Sequence, residues 1–237
     1  MLATFKRLAP ERQENILDAA SRVFAKDGYD KANVADICLE AGISMGALYK
    51  YFKNKEAVLM AVLDHGLHLM VQELFGRYTR DSGSLFEAVE GLFRGVGSFT
   101  RRYRSYVEIW VNMSSCSMNR FASIVSPKVE SAAREFYFEL LEKAKERGEI
   151  ARDLRSDLAA QFLDNHLCLY TYSLVSEYHR RRFDAYFPQG QKQLSQRQKV
   201  ELILESARAF LAVRMPGVAP GREGVEKDLP RRAEGNR

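Results

Sequence analysis

The sequence contains few cysteines, and none of them are paired at metal-ligand spacing. Cys38, Cys116 and Cys168 lie far apart in a chain of 237 residues, and no Cys-x-x-Cys occurs. Disulfide frameworks and zinc clusters use even numbers of cysteines or short spacings between them. The pattern argues against both classes and indicates three buried thiols in a reducing compartment.

Long apolar runs and alternating strand patterns are also missing. The N-terminal MLATFKRLAP holds no stretch suited to a signal peptide, and the most apolar segment, 158–175, is interrupted by Asp164, Asn165 and His166. Because a membrane-spanning helix needs about 20 apolar residues, we expect a cytoplasmic protein without a membrane partner.

Signatures of chemistry are lacking as well. The sequence offers no nucleophile with a base and an orienting group, and no phosphate-binding loop. Asp64, His65 and His68 share one predicted helix, but a metal needs three or four ligands and no further Cys or Glu stands beside them. We therefore predict no catalytic residues, no metal and no cofactor, and a protein that is not an enzyme.

What the sequence does contain is enough apolar material for a core and a small basic surplus. Hydrophobic residues make up 46% and aromatic residues 11%, and the net charge is +5. Residues 1–56 carry nine Lys and Arg against eight Asp and Glu. Total charge is thus no argument for nucleic-acid binding, and the argument depends on where individual residues lie.

Helical periodicity runs along nearly the whole chain and predicts an all-α fold. Three short helices fill the first 52 or so residues, with Asn33 and Ser44 as N-caps of the second and third, and Asn54 caps a longer helix that follows. Longer helices are predicted over 85–103, 106–116, 121–147, 157–180 and 195–214. Beyond Met215 the chain holds three of its six prolines and almost no large apolar residue, so we predict a disordered tail over 216–237.

The stretch GISMGALYKYFKNK, residues 42–55, combines a small-residue start with an aromatic and basic end. Leu48 and Phe52 share one helix face and are expected to pack inward. The opposite face carries Gly46, which costs about 0.5–1 kcal/mol relative to alanine in a helix. Close approach to another surface explains that choice, and a DNA major groove about 12 Å wide admits a helix. Gly42 suits the tight turn of a helix-turn-helix.

Residues 12–59, RQENILDAASRVFAKDGYDKANVADICLEAGISMGALYKYFKNKEAVL, resemble the DNA-binding domain of the TetR family of bacterial transcriptional regulators. The resemblance implies a three-helix DNA-binding domain over 1–56 and a larger helical ligand-binding and dimerisation domain over 57–215. It also implies the residues that contact DNA, which are Asn33, Ser44, Met45, Gly46, Tyr49, Lys50, Tyr51, Lys53 and Lys55. Lys6 and Arg7 precede this domain and are expected as a solvated end, with a minor-groove arm as the alternative.

The predicted helix over 157–180 is apolar on two sides and therefore needs two partners. One stripe, with Leu158, Phe162, Leu169 and Tyr172, is assigned to the core. The other stripe and the last helix are assigned to a homodimeric four-helix bundle, as in TetR-like dimers, with a monomer that buries both stripes in its own chain as the alternative. The predicted dimerisation residues are Leu163, Leu167, Leu174, Tyr178, Val200, Leu204, Ala207 and Leu211.

A ligand pocket is implied by the resemblance and supported by large apolar residues together with two polar ones in an apolar helix. Buried polar groups need partners, and a ligand can be one. The candidates are Phe93, Trp110, Met113, Phe136, Leu140, Asn165, His166 and Tyr170, with plain core packing as the alternative for each.

These features predict a ligand-responsive regulator that binds a palindromic operator as a homodimer and is released by a lipophilic or aromatic small molecule. A transcriptional activator of the same fold is an alternative. From other classes, a helical small-molecule carrier or enzyme without an operator and an architectural DNA-compacting protein also remain open. The sequence names neither the effector nor the operator nor the regulated genes.

Overall fold

The computed structural model describes residues 1–77, 83–113, 118–187 and 193–212. Within these ranges the chain forms helices and no strand, which confirms the all-α fold expected from the sequence. The predicted tail over 216–237 and Cys116 lie outside the described residues.

The N-terminal part consists of four helices followed by a long one that leads into the rest of the chain. They are α1 (Ala3–Lys6), α2 (Pro10–Lys31), α3 (Val34–Ala41), α4 (Met45–Tyr51) and α5 (Lys55–Met70), the last extended by a π-helical turn, Val71–Phe75.

The remainder is a bundle of helices of more variable length. They are α6 (Leu85–Arg102), α7 (Arg104–Asn112), α8 (Ala122–Glu146, after a 3-10 turn at Asn119–Phe121), α9 (Ser156–Val175), α10 (Glu177–Tyr186) and α11 (Gln196–Ala212).

The three predicted N-caps are present, and they fix where α3, α4 and α5 begin. In each, a side-chain oxygen accepts a hydrogen bond from a backbone N–H in the first turn, a contact worth about 1 kcal/mol. The pairs are Asn33 with Ala35 at 3.0 Å, Ser44 with Ala47 at 3.2 Å and Asn54 with Ala57 at 2.8 Å.

Two local predictions were wrong. The helix predicted over 157–180 is interrupted at Ser176, whose backbone is extended (φ −113°, ψ 123°) and whose side chain caps α10. The N-terminal end is not a floppy segment, because α1 packs against α4 and the Leu2 N–H donates to the Tyr51 carbonyl. Phe5 is fully buried there, with its ring centroid 4.8 Å from that of Phe52. Lys6 and Arg7 themselves are exposed, and a minor-groove role for them stays a prediction.

Two clusters of buried apolar residues make up the core, one around α2–α5 and one around α6, α8, α9 and α11. Helix α5 contributes Val58, Leu59 and Val62 to the first cluster, and its π-helical turn contributes Leu74 and Phe75 to the second. Helix α5 thus connects the two parts of the molecule.

By length and composition, one helical segment of the described chain, Lys55–Phe75, is apolar enough to cross a membrane, contrary to the expectation from the sequence. Its apolar residues pack into both clusters, as those of a core helix do.

Candidate functional sites

Helix α4 is amphipathic in the way that its sequence predicted. Leu48 and the capping residue Phe52 are each about 1% exposed and pack into the N-terminal cluster. Burial of side chains of this size stabilises the fold by about 1.5–3 kcal/mol each. The inner face therefore holds the helix in place and leaves the outer face free.

The outer face of α4 lies open to solvent. Met45 is 42% exposed and Tyr49 is 49% exposed, and Gly46 and Lys50 are exposed beside them. A Cβ atom added at Gly46 meets nothing closer than the Ser44 hydroxyl at 4.0 Å. Packing inside this chain therefore does not require glycine at position 46.

The turn between α3 and α4 is held by side chains of α2. Gly42 adopts a left-handed conformation (φ 62°), which glycine takes without steric cost. The Arg12 guanidinium donates to the Gly42 carbonyl, and the Asn15 amide donates to the Ala41 carbonyl, each at 3.1 Å. Both contacts were missed in the sequence, because they join residues about 30 positions apart.

Most of the other residues expected to contact DNA lie around this face. Asn33, Ser44 and Lys53 are exposed. Tyr51 is half-buried, because the Phe5 ring meets its ring edge-on with centroids 5.9 Å apart. No DNA contact of these residues is tested by the geometry alone, so their roles remain predictions.

Lys55 is the exception, and its expected role at a DNA phosphate is contradicted. Its ammonium donates to three backbone carbonyls at the end of α2, those of Tyr29 (2.7 Å), Asp30 (3.2 Å) and Ala32 (3.0 Å). An ammonium has only three N–H donors, so none is left for a phosphate. Lys55 fastens α5 to α2 instead, with its Nζ atom 4.6 Å from the centroid of the Tyr29 ring.

Lys55→Ala is accordingly expected to lower the free energy of unfolding by about 2–3 kcal/mol, because the carbonyls at the end of α2 lose a charged donor. Chemical denaturation followed by circular dichroism measures this change. Lys53→Ala, the exposed neighbour, serves as the control and should change stability by less than about 0.5 kcal/mol. Equal stability of the two variants would contradict the structural role of Lys55.

A cavity of about 240 Å³ lies in the C-terminal part, between α5, α6, α7, α8 and α9. Its walls are mostly apolar and aromatic, including Met70, Phe75, Phe99, Trp110, Met113 and Leu167. Cavities of this composition bind small lipophilic molecules.

Of the eight residues proposed from the sequence for the pocket, Trp110 and Met113 line this cavity. Phe93, Phe136, Leu140 and Tyr170 are core residues instead, and each is at most 4% exposed. Asn165 is exposed. His166 is half-buried and lines a different cavity, between α9, α10 and α11, with its ring 4.2 Å from that of Phe162.

Polar residues of the cavity that the sequence did not point to include Glu130, Asp164 and Cys168. Burial and the nearby Glu130 raise the pKa of Asp164 to about 6. Of the thiols expected to be buried, Cys38 is buried and Cys168 is exposed. The Cys168 thiol donates to Asp164 Oδ2 at 3.8 Å, and desolvation of its sulfur together with the Asp164 and Glu130 carboxylates raises its pKa to about 12. A signal for this polar site was available in the sequence. Asp164 interrupts an apolar segment, but it was used only as evidence against a membrane helix.

The two apolar stripes of α9 are largely exchanged relative to the prediction, although Tyr172 of the stripe assigned to the core does line the cavity. Leu163 and Leu167 are 0% and 7% exposed, so they pack into the chain's own core. Phe162 and Leu169 lie on the outer side, and Leu169 is 45% exposed.

The last helix, α11, likewise packs its predicted dimerisation residues into the core of its own chain. Its predicted dimerisation residues are at most 4% exposed in the single chain, which leaves them unavailable to a second subunit; they are Val200, Leu204, Ala207 and Leu211. Leu174 packs against the same core, and Tyr178, 68% exposed, belongs to α10 instead of α9.

Helix α7 connects the cavity with the N-terminal helices. Val107 and Trp110 line the cavity. On another side of α7 the Tyr106 hydroxyl donates to Asp18 Oδ1 of α2 at 2.8 Å, and burial next to this carboxylate raises the pKa of Tyr106. Helix α7 thus contacts both the cavity and α2.

Comparison with known proteins agrees with this architecture. Residues 16–62 match the family model described as bacterial regulatory proteins, tetR family. The uncharacterized HTH-type transcriptional regulator YerO of Bacillus subtilis is 34% identical over 64 residues, which span 27% of this chain and only 22% of YerO. YvdT, another uncharacterized HTH-type regulator of B. subtilis, is 24% identical over 65% of this chain and 77% of its own length.

Solved structures share the fold over 82–83% of this chain. The transcriptional regulator FadR of B. subtilis, in complex with stearoyl-CoA, superposes with a TM-score of 0.63 at 17% identity, over 82% of this chain and 96% of FadR. CifR, a TetR family regulator solved as a cysteine mutant with a 26-bp double-strand operator DNA, gives a TM-score of 0.62 at 20% identity, over 83% and 95% of the two chains.

The family match covers the helices that present α4, the solved neighbours cover the cavity-bearing bundle, and the relatives are transcriptional regulators and not enzymes. Residues 16–62 are therefore similar to the DNA-binding segment of the tetR family of bacterial regulatory proteins, and the solved neighbours share the helical fold.

Proposed function

We propose that this protein is a cytoplasmic, homodimeric repressor that binds a palindromic operator through α4 and is released by a lipophilic small molecule. The observation that carries the proposal is the unpacked outer face of α4, where Gly46 is exposed between Met45 and Tyr49. A helix with such a face enters a major groove with its N-terminal end and reads base edges.

The roles within this surface divide by chemistry. We assign Lys50, which is exposed, to guanine acceptors and Met45 to apolar contact with a thymine methyl. Asn33, Ser44, Tyr49, Tyr51 and Lys53 supply hydroxyl, amide and ammonium donors for phosphate oxygens. Much of the specificity then comes from phosphate geometry and the shape of the duplex.

The second subunit is proposed to pack on the outer stripe of α9 and the neighbouring side of α11. Phe162 and Phe210 stack there with ring centroids 4.1 Å apart and planes at 4°, and Leu169 and Leu202 extend the apolar surface. An isologous four-helix bundle buries such a surface. Two α4 helices then read half-sites about 34–36 Å apart, or a multiple of that distance.

Release follows from the position of the cavity. A ligand between the π-helical turn of α5 and α7 contacts both elements that lead to α2. If it binds better to a form with shifted α5 and α7, the spacing of the two α4 helices changes and the operator is lost. CifR with operator DNA and FadR with stearoyl-CoA support the two halves of this scheme. The division at residue 56 between the DNA-binding and ligand-binding parts is part of the proposal.

The test is binding of the purified protein to duplexes from the DNA next to its own gene, followed by fluorescence anisotropy at rising salt. We expect Lys50→Ala to lose about 1–3 kcal/mol on the operator and to relax the preference at particular base pairs. Lys53→Ala should weaken binding to all duplexes alike and lower the salt slope by about 1.

Lys143→Ala, on α8 far from α4, is the matched control and should leave DNA binding unchanged. Equal binding of all duplexes by the wild type would favour an architectural DNA-compacting protein. Absence of DNA binding would favour a helical carrier. A reporter gene behind the operator separates repression from activation.

A further inference from the structure

The cavity combines apolar walls with two carboxylates, Glu130 of α8 and Asp164 of α9. Among the described residues that line it there is no Lys, Arg or His. Glu130 is the only other carboxylate or basic group of the described chain that shifts the pKa of Asp164, and it acts in the same direction as burial. The site thus carries negative charge without a cation to balance it.

The other polar neighbours of Asp164 do not neutralise this charge. Cys168 donates to it as an uncharged thiol, with its pKa raised to about 12. Arg134 lines the recess next to the cavity, but its guanidinium lies over the Phe138 ring, 4.2 Å from the centroid. A half-buried carboxylate in such surroundings gains most from a cation that is brought in.

A third observation points to a polar ligand group at the same place. Tyr137 is 1% exposed and lines the recess that shares Glu130 and Asp164 with the cavity. Its hydroxyl has no hydrogen-bond partner within the described ranges. Buried hydroxyls are normally paired, and a hydroxyl oxygen accepts a hydrogen bond from an ammonium N–H.

We propose that the cavity binds a lipophilic ammonium ion, with its apolar body among the aromatic walls and its charged nitrogen between Asp164 and Glu130. Trp110, Phe99 and Tyr172 supply ring faces that attract cations as well as apolar groups. An acyl carboxylate would instead meet two like charges. This inference rests on the proposed function, because it names the ligand class of that same site.

The test uses three probes with the same ten-carbon chain: decylammonium, 1-decanol and decanoate. Trp110 is the chain's only tryptophan and lines the cavity, so its fluorescence reports binding without DNA. At pH 7.5 we expect decylammonium to bind at least about tenfold more tightly than decanoate.

Asp164→Asn should weaken decylammonium binding about tenfold and leave 1-decanol binding unchanged. Glu130→Gln should act in the same direction with a smaller effect, because Glu130 is exposed. Glu135→Gln, an exposed carboxylate on the same helix and away from the cavity, is the matched control.

Asp164→Asn should also melt at a higher temperature than the wild type at pH 7.5. The folded pKa of Asp164, about 6, lies above its ordinary value of 3.8, so the ionised carboxylate destabilises the empty fold above pH 6. Lost affinity together with raised Tm therefore cannot result from misfolding.

Affinity should also depend on pH. Titratable groups around Asp164 come from α8 and from α9 itself; they are Glu130, Arg134 and Tyr137 of α8 and Asp157, Cys168 and Tyr172 of α9. Asp164 itself is the group whose pKa is raised to about 6, so its carboxyl titrates in this range. Decylammonium should consequently bind several-fold more weakly at pH 5 than at pH 7.5.

Equal or tighter binding of decanoate, or an unchanged charge preference in Asp164→Asn, would overturn this inference and leave operator binding untouched. Conversely, the predicted charge preference in a protein that binds no operator would overturn the proposed function alone.

Discussion

Phe162→Glu is expected to convert the protein from dimer to monomer. Phe162 lies half-exposed at the centre of the proposed dimer surface, stacked on Phe210. A carboxylate there would be buried without a partner in the dimer but remains solvated in the monomer, so the monomer is favoured. Sedimentation equilibrium measures the change in mass.

The affinity of Phe162→Glu for the operator should also fall by about a hundredfold or more, because a monomer binds only one half-site at a time. Ile124→Glu is the control, since Ile124 is 49% exposed on α8 and lies outside this surface. A wild-type protein that is monomeric at micromolar concentration, or a Phe162→Glu variant that stays dimeric, would disprove the assigned surface.

Two helix glycines offer a second, paired experiment with opposite expected signs. A Cβ at Gly66 of α5 would lie 2.9 Å from Cδ1 of Tyr106 and 3.6 Å from Nε1 of Trp110. Tyr106 is held in turn by Asp18, so its ring has little room to move. Gly66→Ala should lower the free energy of unfolding by about 1–2 kcal/mol despite the higher helix propensity of alanine.

Because Gly66 sits where α5 meets α7, the same variant should alter operator affinity without contacting DNA. Gly46→Ala is the counterpart, since its Cβ meets no atom closer than 4.0 Å. It should stabilise the fold by up to about 1 kcal/mol while weakening operator binding. Thermal denaturation and anisotropy on the same preparations compare the two; a stabilised Gly66→Ala variant would disprove the close packing of α5 on α7.

Local features of the DNA-binding part followed from the sequence because their causes are local. Asn33, Ser44 and Asn54 cap helices through residues two or three positions away. The inward face of α4 follows from the four-residue spacing of Leu48 and Phe52. The break at Ser176 was missed because apolar residues continue on both sides of it, although a serine before an acidic residue is a cap signal.

Long-range contacts decided what the sequence left open. Lys55 resembles a phosphate-binding lysine until α2 places three carbonyls around it. Periodicity shows that α9 has two apolar stripes, but both are equally apolar in sequence. Only packing against α6, α8 and α11 selects the stripe of Leu163 for the core and leaves that of Phe162 outside.

The sequence by itself determined the all-α class, the capped helices around α4 and the inward face of that helix, since these depend on spacings of a few residues. The tertiary structure alone decided which face of α9 is buried, what Lys55 binds and that Glu130 and Asp164 meet in one cavity. Those facts depend on contacts between residues tens of positions apart, and a linear pattern carries no information on which distant partners will meet.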